Sequence, residues 1–208
     1  MSGSNQVYGV DGTFAFFNNL TIATYLAQSQ SKNLSGDDTS YRAQMEYGGD
    51  RYGLQLEHLG IGRNFNPEVG FVRRPDVRKS YALARFSPRP KSIKSVRKFS
   101  GVGQWTYIED NAGQPGTRIL DGEFATEFQN SDRFLAGVND DFEHIVRPFA
   151  IAGVRIPPGD YNFTTGRIGY NFGQQRPVSA LGRDVPIASA PLQARAPSGA
   201  SRSGTVHR

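Results

Sequence analysis

Apolar and polar residues alternate one by one along most of this chain, and this period limits the possible fold more than any other feature. From Tyr8 to Phe16 the even positions are mostly apolar and the odd positions mostly small or polar, and a second such run begins at Leu20. Successive side chains of a strand point to opposite faces of a sheet, so this alternation predicts strands with one apolar face. No comparable helical period is present. The sequence therefore predicts an all-β fold.

The first two strands allow a prediction of their register. A three-residue loop at 17–19 pairs Phe16 with Leu20 and Phe14 with Ile22, which keeps apolar residues on one face. A two-residue turn would mix the two faces. The loop contains two asparagines, and Asn tolerates the left-handed backbone that such loops require.

The second hairpin is predicted around the turn 48–51. Pairing across this turn places Met45 opposite Leu54 on an apolar face. The same register places Arg42 opposite Glu57 on the other face, where the two form a charge pair. In a barrel this pair would face the lumen.

Further alternating runs bring the predicted total to nine long strands. They lie at about 80–87, 98–109, 118–128, 134–143 and 161–172. With these boundaries the connections measure 3, 11, 4, 20, 10, 8, 5 and 17 residues, so short and long connections alternate except around the 10 and the 8. Outer-membrane barrels show this asymmetry, with tight turns at one end and longer loops at the other.

The fold class that these features predict is an antiparallel up-and-down meander of about nine long strands, as part of an outer-membrane-type β-barrel. The alternative is a soluble antiparallel barrel or sandwich whose apolar side chains face a core. The polar side chains of the opposite parity favour the membrane barrel, since they suit a wet lumen. They are Arg42, Glu46, Glu57, Asp121, Glu123, Glu127, Arg167 and Asn171.

Composition excludes several other classes. The longest apolar runs are a few residues, whereas a helix that spans a membrane needs about 18 or more. The chain has no Cys, which excludes disulfide scaffolds and thiolate chemistry. The net charge is +5, but residues 174–208 hold five Arg and one Asp, so the body is almost neutral. This distribution argues against nucleic acid as a partner.

Three regions follow from these patterns. Residues 1–6 form an N-terminal leader without the features of a signal peptide. Residues 7–173 form the partial β-barrel domain. Residues 174–208 are rich in Pro, Ala, Ser and Arg and are predicted to be a disordered C-terminal tail.

Several segments resemble the domain of unknown function 5916 family of Gram-negative envelope proteins. They are 35–44, 62–74, 85–90 and 121–124 with 128–130, and the longest is Gly-Arg-Asn-Phe-Asn-Pro-Glu-Val-Gly-Phe-Val-Arg-Arg at 62–74. The similarity covers about residues 5–178. It implies an outer-membrane barrel domain that usually follows a family-9-like carbohydrate-binding domain. Members are often labelled membrane-associated hydrolases, but the resemblance assigns no catalytic residue set to this chain. We expect this chain to be a fragment of such a protein, whose parent lies in the cell outer membrane.

Two groups of residues are candidates for chemistry. Asp121, Glu123 and Glu127 share one parity of one strand, and paired carboxylates at such spacing are what glycoside hydrolysis requires. The alternative for these carboxylates is a solvated lumenal surface. The longest internal connection, 60–79, contains amide and charged side chains that could bind a glycan or narrow a pore, or could stabilise the loop itself. Those proposed for binding are Arg63, Asn64, Asn66, Glu68, Arg73 and Arg74.

The function predicted from the sequence is a membrane anchor or translocation module, with outer-membrane lipid as its partner and a glycan as a further candidate partner. The three histidines are far apart, and no metal-ligand spacing or nucleotide-binding motif occurs, so no metal and no cofactor is predicted. The first alternative is a membrane-associated glycan hydrolase with lumenal carboxylates. The second alternative is a soluble all-β module that binds sugars.

Overall fold

The computed structural model describes residues 4–32, 34–68, 70, 72, 74–151, 153–173 and 185–189. All regular secondary structure among these residues is β-strand. The strands are β1 Asn5–Phe16, β2 Leu20–Ser31, β3 Thr39–Gly48, β4 Tyr52–Ile61, β5 Val77–Phe86, β6 Val96–Glu109, β7 Pro115–Phe128, β8 Arg133–Ile145, β9 Phe149–Ile151, β10 Val154–Ile156, β11 Gly159–Asn171 and β12 Val185–Ser189.

Nine long strands, β1–β8 and β11, pair in the order in which they follow along the chain, and every pairing is antiparallel. The predicted all-β, antiparallel up-and-down meander is thereby confirmed. The small hairpin β9–β10 lies in the connection between β8 and β11 and forms a sheet of its own. Within the described residues β1 pairs only with β2, so the sheet is open at that edge.

The register of the first hairpin is as predicted. Phe16 pairs with Leu20 and Phe14 with Ile22 across the loop 17–19. The left-handed residue in this loop is Phe17, with φ 54°, rather than either asparagine. Alternation fixed the register correctly because any one-residue slip would have exchanged the two faces.

The predicted register of the second hairpin is wrong by two residues. Met45 pairs with Leu56 rather than with Leu54, and Gly48 pairs with Gly53. Tyr52 is the first residue of β4 and pairs with Phe86 of β5, whereas the pairing of β4 with β3 begins only at Gly53. A shift of two residues leaves every side chain on its original face, so the alternation pattern could not detect it.

The connections differ in length between the two ends of the sheet. One end, called the turn end, carries 17–19, 49–51, 87–95 and 129–132, and the other, called the loop end, carries 32–38, 62–76, 110–114 and 146–158. The predicted alternation holds, with the same exception at 87–95 and 110–114. No helix in the described part of the chain is long and apolar enough to cross a membrane.

A short strand lies in the C-terminal segment that the sequence predicted to be disordered. Strand β12 pairs with β11 between Thr165 and Ile168, with an irregularity after Gly166. A proline within an edge strand is compatible with such pairing. The rest of segment 174–208 lies outside the described residues, so disorder there stays a prediction.

Candidate functional site

One face of the sheet, called the apolar face, exposes large hydrophobic side chains. Val10 is 69% exposed, Leu120 54% and Val138 52%. Water-soluble proteins rarely expose a continuous apolar surface of this extent. Other exposed members of this face are Phe14, Phe16, Leu26, Tyr41, Tyr47, Leu54, Leu56, Phe86, Trp105, Phe124 and Ile168.

The opposite face, called the polar face, holds several of the most sheltered side chains. Ala125 is 2% exposed, Leu135 6% and Asp121 8%. Charged side chains lie among these residues and pair across strands. Large apolar side chains are thus exposed on the apolar face, whereas charged side chains such as Asp121 are buried on the polar face.

Glu57 is the centre of the first charged cluster on the polar face. Its Oε2 accepts hydrogen bonds from Arg42 Nε at 2.9 Å and Nη2 at 2.6 Å, and its Oε1 accepts one from Lys79 Nζ at 3.0 Å. Arg42 also donates to Gln44 at 2.5 Å. Arg42 lies opposite Leu59 rather than Glu57, so the ion pair joins diagonal neighbours. It forms although the predicted register was wrong.

Arg167 is the centre of the second charged cluster. It donates from Nη1 to Asp121 at 3.1 Å and from Nη2 to Glu123 at 3.0 Å, and Arg133 donates to Glu123 at 3.1 Å. Gly137 lies beneath the guanidinium, since a Cβ atom there would be 2.9 Å from Arg167 Nε. A bare backbone at this position lets Arg167 lie flat and reach strand β7 across β8.

The structure separates the three carboxylates that the sequence proposed as catalytic. Asp121 and Glu123 share Arg167, whereas Glu127 lies near Lys98, with 3.8 Å between Oε1 and Nζ. Two carboxylates that share one guanidinium have the arrangement of a structural ion-pair cluster. Among the described residues, no three His, Asp or Glu side chains converge as a metal site would require.

The candidate binding residues of the connection after β4 are largely engaged within the fold. Asn64 Nδ2 donates to Gly36 O at 2.9 Å, and Asn66 N donates to Ser29 Oγ at 2.9 Å. The first bond joins the loop 62–76 to the loop 32–38, and the second joins it to the end of strand β2. Sequence reasoning missed this role because the partners lie about 30 residues earlier in the chain.

The remaining candidates of this loop are less enclosed. Arg63 pairs with Asp76 at 3.1 Å, and Arg74 lies near Gly116, where a Cβ atom would be 3.2 Å from its Nη2. Glu68 is exposed. Arg73 lies outside the described residues.

Asp76 is the last residue of this loop and is bonded to Arg63 and Asn111. Burial raises its pKa, but hydrogen bonds from Asn111 Nδ2, at 2.9 Å, and from Arg63 outweigh that effect and hold the pKa below its ordinary 3.8. A carboxyl whose pKa is lowered by folding stabilises the fold above its ordinary pKa. That contribution is lost as the pH falls through the lowered value.

We therefore expect the loop 62–76 to open as the pH falls from the ordinary 3.8 through the lowered pKa of Asp76. Amide hydrogen exchange in the loop, corrected for the intrinsic pH effect, measures this opening. Asp76→Asn should open the loop at neutral pH and abolish the acid step. Glu68→Gln in the same loop is the control, and an acid step that survives Asp76→Asn would contradict the assignment.

Aromatic side chains gather towards both ends of the apolar face. Towards the loop end, Tyr41 lies 5.8 Å from His58 between ring centroids, and Trp105 stacks with Tyr107 at 5.9 Å. At the turn end, Tyr52 stacks on Phe86 at 5.3 Å. The further turn-end aromatics are Phe99, Phe124, Phe128, Tyr170 and Phe172.

The comparisons with known proteins add no relative to this description. No family model, no curated protein and no solved structure matches the chain.

Proposed function

We propose that this chain forms part of the wall of an outer-membrane-type β-barrel, as a membrane anchor or translocation module. The apolar face would contact lipid, and the polar face would line a water-filled lumen. The observation that carries the proposal is the exposure of the apolar face, with the charged clusters on the opposite face. Membership of the domain of unknown function 5916 family, and through it a link to carbohydrate handling, belongs to the same proposal.

Energetics support lipid as the environment of the apolar face. Removing a Leu, Val or Phe side chain from water contributes roughly 1.5–3 kcal/mol when burial is complete. Ten of the exposed side chains named above for the apolar face are Leu, Val or Phe, so water is an unfavourable solvent for this face. Strands with a partner on each side already have their backbone hydrogen bonds satisfied by antiparallel pairing, as the interior of a membrane requires.

The spacing of the aromatic residues fits the thickness of a bilayer. Phe99 and Tyr107 are eight residues apart on β6, which corresponds to about 27 Å along the strand at ~3.4 Å per residue and to about 21 Å along the membrane normal for a strand tilted by ~40°. Outer-membrane barrels carry aromatic girdles on either side of an apolar band about 25 Å tall. Further strands, joined at β1 or β12, would complete the wall.

Trp105 provides the test, because it is the only tryptophan and lies on the apolar face. We expect vesicle lipids with brominated acyl chains to quench its fluorescence strongly, while aqueous acrylamide quenches it weakly. The matched control combines Trp105→Phe with Gln104→Trp, which moves the reporter to the polar face one residue away. That variant should reverse the pattern, and equal acrylamide quenching of both proteins would refute the proposal.

A further inference from the structure

A shallow depression of about 840 Å³ lies across strands β5 to β8 on the apolar face. Small residues form its floor, so the backbone is bare where neighbouring parts of the face carry large side chains. A Cβ atom added at Gly101 or Gly122 would meet no atom closer than 3.7 Å. We call this depression the apolar groove, and the face residues that line it are Tyr52, Ala84, Phe86, Gly101, Gly122, Phe124, Ala136 and Val138.

The turn end of the apolar groove is bordered by a cation. The guanidinium of Arg51 lies over the rings of Tyr52 and Phe86, at 5.7 Å and 5.3 Å from their centroids. A second depression of about 310 Å³, lined by Asp50, Arg51 and Arg89 among others, adjoins it. Ser87 N donates to Arg51 O at 2.7 Å, which joins the turn 49–51 to the loop 87–95.

The charge of this border is strongly positive. Residues 49–51 and 87–98 contain six cationic side chains and one acidic side chain, Asp50. Asp50 pairs with Arg89, and Glu127 lies 3.8 Å from Lys98. Within the described residues no ion pair engages the other four cations, which are Arg51, Lys91, Lys94 and Arg97.

We propose that the apolar groove and this basic border together bind an anionic phospholipid. An acyl chain would fill the groove over the glycine floor, and the phosphate would lie against Arg51 and the loop 87–95. Lysine and arginine beside a membrane surface attract anionic headgroups. The inference rests on the proposed function, because it requires the apolar face to contact lipid, and it adds the class of lipid and its place.

A reporter in the groove tests the proposal. Phe124→Trp combined with Trp105→Phe places the only tryptophan on the groove wall, in the full chain within phosphatidylcholine vesicles. We expect brominated phosphatidylglycerol to quench it with about three- to tenfold higher relative affinity than brominated phosphatidylcholine. The preference should fall to near one with Arg51→Gln, Lys91→Gln and Lys94→Gln combined, and should weaken in high salt.

Two controls separate the groove from the bilayer as a whole. The unsubstituted chain, with its reporter at Trp105 outside the groove, should show little preference for either lipid. Arg147→Gln, at the loop end, should leave the preference at the groove reporter intact. Equal quenching by both lipids at the groove would overturn this inference and leave the proposed function standing, whereas no quenching by either would overturn both.

Discussion

Adding one methyl group at Gly62 is expected to destabilise the fold by about 3 kcal/mol. A Cβ atom at this position would lie 1.9 Å from Asp37 O and 2.5 Å from Asp37 C. Both are backbone atoms and cannot rotate away. Gly62 N donates to Thr39 O at 2.8 Å and Asn64 N to Asp37 O at 2.9 Å, so Gly62→Ala would force apart the two loops that these bonds join.

The measurement is urea unfolding of the chain refolded in detergent micelles, followed by the fluorescence of Trp105. Gly48→Ala is the matched control, because a Cβ atom at Gly48 meets nothing within 4 Å. We expect the control to change the free energy of unfolding by less than about 0.5 kcal/mol. If both variants unfold at the same urea concentration, the close contact between the loops is not a source of stability.

Arg167→Met should lower the free energy of unfolding by about 2 kcal/mol at neutral pH, because it leaves Asp121 and Glu123 without their shared cation. Asp121 is the more affected of the two, since its side chain is only 11% exposed. One third of the Arg167 side chain is exposed, so water weakens the pair and the cost stays below that of a fully buried ion pair.

A second substitution separates the loss of charge pairing from a loss of packing. Asp121→Asn in the Arg167→Met background should recover part of the stability, since it removes one uncompensated charge. Arg147→Met is the control for replacing an exposed arginine and should have little effect. The assignment fails if Arg167→Met costs no more than this control in the same urea titration.

The positions of the strands were predictable because alternation is a local property that a few consecutive residues reveal. The first hairpin was predictable because the three-residue loop 17–19, taken together with the alternation, pairs Phe14 with Ile22. The second hairpin was not, because a shift of two residues preserves both faces. Its register depends on how the backbone turns between Gly48 and Gly53, which alternation does not encode.

The contacts of the candidate site were predictable only in part. Arg42 and Glu57 form the predicted ion pair because long side chains reach diagonal neighbours on the adjacent strand. The pair therefore forms although the predicted register was wrong by two residues. Arg167 lies 46 residues from Asp121 and 44 residues from Glu123 in the sequence, and its side chain needs Gly137 beneath it. Similarly, no local pattern shows that Asn64 binds the loop 32–38 or that Asn66 binds the end of strand β2.

The sequential order of the strands has a consequence for how the chain folds. Each long strand pairs with the long strands next to it along the chain, so paired residues are close in sequence. In β4 and β5, which are joined by the longest loop, the most distant pair is Tyr52 with Phe86. The entropy lost in closing such loops is modest and grows slowly with their length. The sheet can therefore assemble by adding one hairpin after another, in either direction, without waiting for distant partners.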